Sequence, residues 1–328
     1  MGYFSLVLSA LLGVITIHSQ GTPPSSPPQK VIAETKPSGI GSWAEVIEAE
    51  VDPAVVTDPL LRDAIKATGL PWRVRDKGTN IEMLLIPPGE FVMGKSRGDD
   101  EAGEDELPAH EVKLTKAFYL GRYEVTQKQF AAIANVNPSN SAKFVVPTVE
   151  ALMEDGATRS EAEAEVRAWR GGVPPASDAK GKEWPVESVS WVDCAAFCKK
   201  AGFRLPTEAE WEYACRAGTR APRYGELDAI AWWAENSKEL THAVGTKLAN
   251  ALGLHDMLGN VLEWVNDWYG DYSEDTQTNP QGPSSGSVRV LRGGSWGSDS
   301  DFCRASFRFY GYPGVSDDSF GFRVARTP

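Results

Sequence analysis

Histidine is scarce: four residues in 328, one of them, His18, near the N-terminus. His110, His242 and His255 are scattered, so a multi-histidine metal centre is excluded. An excess of positive charge is also missing. Lys and Arg number 33 against 45 Asp and Glu, for a net charge of −12. A chain of that sign lacks the basic face that nucleic acid requires, and no nucleic-acid partner is expected. Long apolar runs are absent but for residues 5–17, too short to span a bilayer, which takes about 20 residues. There is no repeat of 20–50 residues, no phosphate-cradling glycine loop, no Ser–His–Asp set, and neither the strand lysine nor the His-Arg-Asp loop of a kinase. What is abundant is Trp (11), Gly (31) and Pro (22), the composition of a loop-rich fold around aromatic anchors.

The apolar run fits the core of a secretory signal, although Met1–Phe4 carries no Lys or Arg. Residues 1–20 are therefore expected to be a signal peptide and the chain to be exported, to a periplasm or outside the cell, with no stable membrane span after cleavage. Residues 21–70 read as a Pro/Ser-rich linker followed by a short helix around Pro59–Thr68. From residue 71 to 328 the text is that of a folded domain. Residues 81–94 look like a hairpin, two strands about a Pro-Pro-Gly turn. Residues 98–106 hold six carboxylates and read as a solvated loop, with calcium binding as the alternative.

Three helix starts carry capping boxes: Thr126 with Gln129, Ser190 with Asp193, and Thr207 with Glu210. Gly202 and Gly218 close the second and third helices. Trp191, Cys194, Ala195 and Cys198 share one face of the second; Trp211, Ala214 and Cys215 share one face of the third. A charged helical insertion is expected near 145–182. Few helices, many short strands and long loops make an α+β domain.

Seven segments, in order over about residues 78–326, resemble the formylglycine-generating enzyme family, the sulfatase-modifying factors. They are Pro88–Gly94, Tyr123–Thr126, Pro185–Trp191, Arg204–Ala214, Gly259–Trp264, Arg292–Trp296 and Gly321–Arg323. The resemblance implies an irregular C-type-lectin-like fold with little regular secondary structure and bound calcium. It also implies an O2-dependent oxidase that converts a sulfatase cysteine to formylglycine on Cu(I) held by two thiolates. The family's catalytic positions map to Ser295, Ser298 and Cys303, and here the first copper-binding cysteine is Ser298. A hydroxyl is a hard, scarcely ionised donor and does not replace a thiolate on a soft ion. Ser319 stands where the family often has Asn. The expectation is thus a binding or diverged module with a protein or peptide ligand, without copper. The alternatives are a working oxidase acting on sulfatases, or another metal-dependent oxidoreductase in the same cleft. The ergothioneine-type branch, which needs a histidine-rich helical domain, is not supported.

For calcium, the resemblance implies the side chains of Asp256 and Glu263 with the carbonyls of Gly259 and Val261, all hard oxygens. Asn236 maps to a second site. Cys303 reads either as a structural cysteine or as a free thiol beside Ser298, Asp299 and Asp301. Four cysteines allow three complete pairings, which the sequence does not rank. Cys194 and Cys198, at i and i+4 of one helix, meet poorly, and a Cys215–Cys303 bond that leaves Cys194 and Cys198 as buried thiols is favoured. Trp232, Trp233, Trp264, Trp268, Tyr269 and Trp296 serve as core or as a ligand platform. Arg292, Arg304, Arg308 and Arg323 are expected to bond loop carbonyls, and Glu124 and Glu208 to act as caps or ion pairs.

Overall fold

The computed structural model describes residues 40–139, 149, 153, 158–163 and 183–328. The expected signal peptide, the expected spacer to residue 39 and nearly all of the insertion expected near 145–182 lie outside the described residues. Within them the chain forms twelve short strands in three sheets, with a few helices between.

The first sheet has the order β1-β2-β3-β6-β12. Its strands are β1 (Ala44–Glu48), β2 (Arg73–Asp76), β3 (Glu82–Ile86), β6 (Phe118–Gly121) and β12 (Ala325–Arg326). All its pairings are antiparallel, so the C-terminus returns to close a sheet begun near residue 44. Helix α1 (Pro59–Ala67) starts where expected, with Asp58 accepting from the Leu60 N–H at 2.8 Å. Strand β1 and the buried Val51, Val56 and Ile65 make residues 40–70 part of the folded unit, not of a linker. Only the pairing partner reveals β1, because Ala-Glu-Val-Ile-Glu carries no clean alternation of apolar and polar residues.

The expected 81–94 hairpin is not formed. Strand β3 is flanked on both sides by β2 and β6, so its ladder has no room for β4 (Gly89–Met93). The Pro87–Pro88 step instead carries the chain to a second sheet, β4-β5-β8, with β5 (His110–Leu114) and β8 (Gln277–Thr278). The third sheet, β10-β9-β7-β11, comprises β7 (Leu262–Trp268), β9 (Arg289–Arg292), β10 (Arg308–Gly311) and β11 (Phe320–Gly321).

All three capping boxes form, at α2 (Gln127–Ala134), α3 (Trp191–Ala201) and α4 (Glu208–Arg216). Each cap contributes about 1 kcal/mol. Gly202 ends α3 in the left-handed region, φ +78°. At α4 the left-handed cap is Ala217, one residue before Gly218. Cys194 and Cys198 are buried on α3, and Trp211, Ala214 and Cys215 on α4, as the spacing predicts. Yet α4 also buries Glu208, Glu212 and Arg216, a charged stripe at i, i+4 and i+8. A short helix, α5 (Leu227–Ile230), follows.

Candidate functional site

The loop after β9 carries Arg292-Gly293-Gly294-Ser295 and continues to Cys303. It is held open by charge. Arg292, fully buried, donates to the carbonyls of Ala305 (2.6 Å) and Ser306 (2.9 Å) and to the carboxylates of Glu208 and Glu212. Arg308 binds Glu208 through Nε at 2.7 Å and reaches the Asp105 carbonyl at 2.9 Å. Burial alone would raise the Glu208 carboxyl, but Arg308 and Arg292 outweigh it and hold it below the usual carboxylate range. Arg304 reaches across to the acidic loop, pairing with Asp99 (2.8 Å) and Glu106 (2.7 Å). Those two carboxylates are therefore buried partners and not part of a solvated loop; Asp100, Glu101 and Glu104 do face solvent. The four arginines bond loop carbonyls as expected, and carboxylates besides.

Ser298 and Cys303 lie on this loop. The Ser298 hydroxyl accepts from the Ser295 N–H at 2.9 Å and lies 3.2 Å from the Ser295 hydroxyl. Ser298 N–H donates back to the Ser295 carbonyl at 3.0 Å. The four-residue turn from Ser295 to Ser298 is thus closed by the Ser298 side chain as well as by the backbone. Cys303 is fully buried, and its sulfur packs where a Cβ on Gly294 would come within 2.8 Å. Burial pushes its thiol up to about 12, so it stays protonated at neutral pH.

All four cysteines are free and buried, which overturns the Cys215–Cys303 bond. The Cys215 sulfur instead faces the Met257 carbonyl at 3.9 Å, while that of Cys303 packs on Gly294, so each sulfur is directed at backbone.

The turn from Asp256 to Glu263 forms a second cluster. Asp256 is buried at φ +53°. Its Oδ2 accepts from the Gly245 N–H at 2.6 Å, and its Oδ1 is buried with no hydrogen-bond partner. Glu263 is bound by Arg323 through Nε and Nη2 at 2.7–2.9 Å and by Trp211 Nε1 at 2.8 Å. Arg323 also donates to the carbonyls of Gly121, His255 and Asp256. Glu124 pins the same turn as a hydrogen-bond acceptor, from Asn260 Nδ2 (2.7 Å) and the Val261 N–H (3.1 Å). Burial, with Asp256 and Glu263 adding to it, raises the Glu124 carboxyl well above its ordinary value; burial raises Asp256 too.

Three buried carboxylates thus share one guanidinium, and one carboxylate oxygen lacks a donor. Hard oxygens are the donors that calcium prefers, but both oxygens of Glu263 are already taken by Arg323 and Trp211, so Asp256 Oδ1 is the oxygen left without a donor. Among the described residues no cluster of three or more Asp, Glu, His or Cys side chains could hold a metal, so such a site rests on two carboxylates and backbone carbonyls. Asn236 accepts from the Trp233 N–H and donates to Asp228 and Ala231, which ties it to its own loop.

The aromatics divide. Trp264 is core, its indole N–H on the Val189 carbonyl at 3.0 Å. Trp268 stacks on Arg289, whose guanidinium lies 3.4 Å from the ring centre, and Trp232 stacks on His242 at 3.6 Å. Sequence reasoning missed Asp267. Its Oδ2 accepts from the Glu208 N–H at the start of α4 (2.9 Å), and burial, with the Glu208 charge adding to it, pushes it up to about 8. It also missed a groove of about 900 Å³ between β4, β5 and the end of α4, which neither Ser298 nor Cys303 lines.

Among known proteins, the chain is 34% identical over 277 residues to the formylglycine-generating enzyme of Streptomyces coelicolor, covering 74% of this chain and 88% of that one. It is 36% identical over 251 residues to the serine/threonine-protein kinase pkn1 of Chlamydia pneumoniae, covering 75% of this chain but only 38% of the kinase. Among solved structures, Treponema denticola variable protein 1 superposes with a TM-score of 0.60 at 30% identity, over 76% of this chain and 95% of that one. Residues 72–328 match the Sulfatase-modifying factor enzyme 1-like domain, and with that match, these relatives and a C-type-lectin-like mixed fold, the chain belongs to the formylglycine-generating enzyme (sulfatase-modifying factor) family.

Proposed function

We propose that this chain is an exported, calcium-stabilised member of its family that has lost the copper-dependent oxidation and acts as a binding or diverged module for a protein or peptide. The observation that carries the reading is the Ser295–Ser298 turn. A hydroxyl that closes the turn by hydrogen bonds replaces one of two thiolates, and the remaining thiol, Cys303, is buried and protonated. Cu(I) held by two thiolates needs both sulfurs, and this loop offers one. The chain's own residues here position a loop: Arg292 and Glu212 fix its entry and Arg304 its exit.

Calcium belongs to the same reading. Asp256, Glu263 and the carbonyls of Gly259 and Val261 would hold it, and it would supply the positive charge that the orphaned Asp256 oxygen lacks. Export rests on the apolar run at 5–17; among the described residues no helix is long and apolar enough to cross a membrane.

The test is a Cu(I) titration of the reduced wild-type protein against a competing chelator, together with assay of a sulfatase-derived cysteine peptide for aldehyde. No copper retained and no aldehyde formed is the expected result. Tight one-to-one binding, or turnover, would return the chain to its oxidase relatives.

A further inference from the structure

The groove between β4, β5 and the end of α4 has a charge opposite to that of the chain. Lys95, Arg97 and Arg220 line it and make no ion pair among the described residues. Its other cations are already engaged, Lys113 with Glu90 at 2.6 Å and Arg216 with Glu212 at 2.8 Å. One carboxylate with no ion pair among the described residues, Glu111, also lines the groove. In a protein of net charge −12, three such cations against one such carboxylate around one cavity are a local inversion of sign.

Two further features point to an occupant. Val92 and Leu107 line the groove while 45% and 43% exposed, so apolar surface stands open between the charges. And β4 is an edge strand, with β5 on one side and no strand on the other among the described residues. An edge strand offers unpaired backbone groups to an incoming chain. Tyr213 of α4, tilted against Phe91 with ring centres 5.4 Å apart, also lines the groove.

We propose that this groove takes an extended acidic segment of a partner protein, which adds as a strand to β4. Its carboxylates meet Lys95, Arg97 and Arg220, and its alternate apolar side chains cover Val92 and Leu107. The site is separate from the Ser298–Cys303 loop and does not depend on what that loop does. A small polyanion could satisfy the cations but would use neither the edge nor the apolar floor.

The probe is a displayed library of random peptides, selected on the wild-type protein and counter-selected on Arg97→Glu/Arg220→Glu. Both residues are exposed, so the variant is expected to keep the wild-type melting temperature. Enriched sequences should be acidic with alternating apolar residues. By fluorescence anisotropy they should bind the double variant at least about tenfold more weakly and lose affinity as salt rises. N-methylation of alternate peptide amides should also abolish binding, because it removes the donors that strand addition uses. Failure to enrich acidic sequences, equal affinity for the variant, or binding untouched by N-methylation and displaced by tripolyphosphate would each overturn the proposal.

Discussion

Asp267 offers a direct test of how charge is buried beside α4. In the native protein its carboxyl is pushed up to about 8, chiefly by burial and then by the neighbouring Glu208, against an ordinary value of 3.8. A carboxyl whose native pKa lies above its unfolded one holds its proton more tightly when folded. Its contribution to stability is whole below about pH 4 and is lost as pH rises to about 8, because unfolding then releases a proton. A gap of about four pH units at about 1.4 kcal/mol each sets a ceiling of about 6 kcal/mol on that loss. Water reaching the ionised group brings the expected figure to about 2–4 kcal/mol. Asp267→Asn removes the titration but keeps an oxygen to accept from the Glu208 N–H, 2.9 Å away. Urea unfolding of both proteins from pH 4.5 to 8.5 should show the variant gaining on wild type as pH rises. A stability difference that is flat with pH would refute a raised Asp267. A difference that falls with pH would mean that the carboxylate is stabilised in the folded state.

Arg292→Met should cost about 3 kcal/mol in chemical denaturation, since it removes one of the two buried guanidinium partners of Glu208 and of Glu212, leaving Arg308 and Arg216 as the others, and adding Glu212→Gln should recover part of that. EDTA should lower the melting temperature of wild type, and Glu263→Gln should remove most of that response; an identical melt with and without chelator would end the calcium reading. Ser298→Cys should bind Cu(I) more tightly than wild type, and Ser298→Cys/Cys303→Ser should not; equal affinities would show that this loop is not the metal site. N-terminal sequencing of exported protein should place its start between residues 18 and 26, and a soluble cytoplasmic chain retaining Met1 would contradict export.

The parts of the fold that are legible in the sequence are those with local causes. Capping boxes, the left-handed Gly202 and the apolar faces of α3 and α4 follow from residues a few positions apart. The parts that are not have remote causes. Whether β3 and β4 pair depends on β6, beyond β5 in the chain, taking the side of β3 that β4 would need. The stripe Glu208, Glu212, Arg216 has the spacing of a solvated face, and Arg292 and Arg308 in the third sheet, with Gly94, Ser96 and Tyr272, turn it inward. Asp99 and Glu106 are read as solvated for the same reason, because Arg304 lies about 200 positions away. For the site, the family motif locates Ser298 and Cys303, but the protonated state of Cys303 comes from packing against Gly294 and is invisible in the sequence.

The residues that make the family recognisable and those that would make it catalytic are different residues under different constraints. Arg292, Glu212, Glu208, Arg323 and Glu263 are buried charges, each with its partner's carboxylate or guanidinium at hydrogen-bond distance. Losing one leaves the other uncompensated in the interior, which costs far more than the pair contributes when intact. Such residues are held in place by the fold, whatever the protein does. Ser298 is under no such constraint. It is half-buried, and its hydroxyl closes the turn with hydrogen bonds to Ser295. Ser298→Cys is therefore expected to change Cu(I) affinity greatly and stability little, which the copper titration and a melting curve of the variant check together. A framework match across 257 residues can accordingly coexist with the loss of its chemistry at a single atom, which is why function has to be argued from the site and not from the fold.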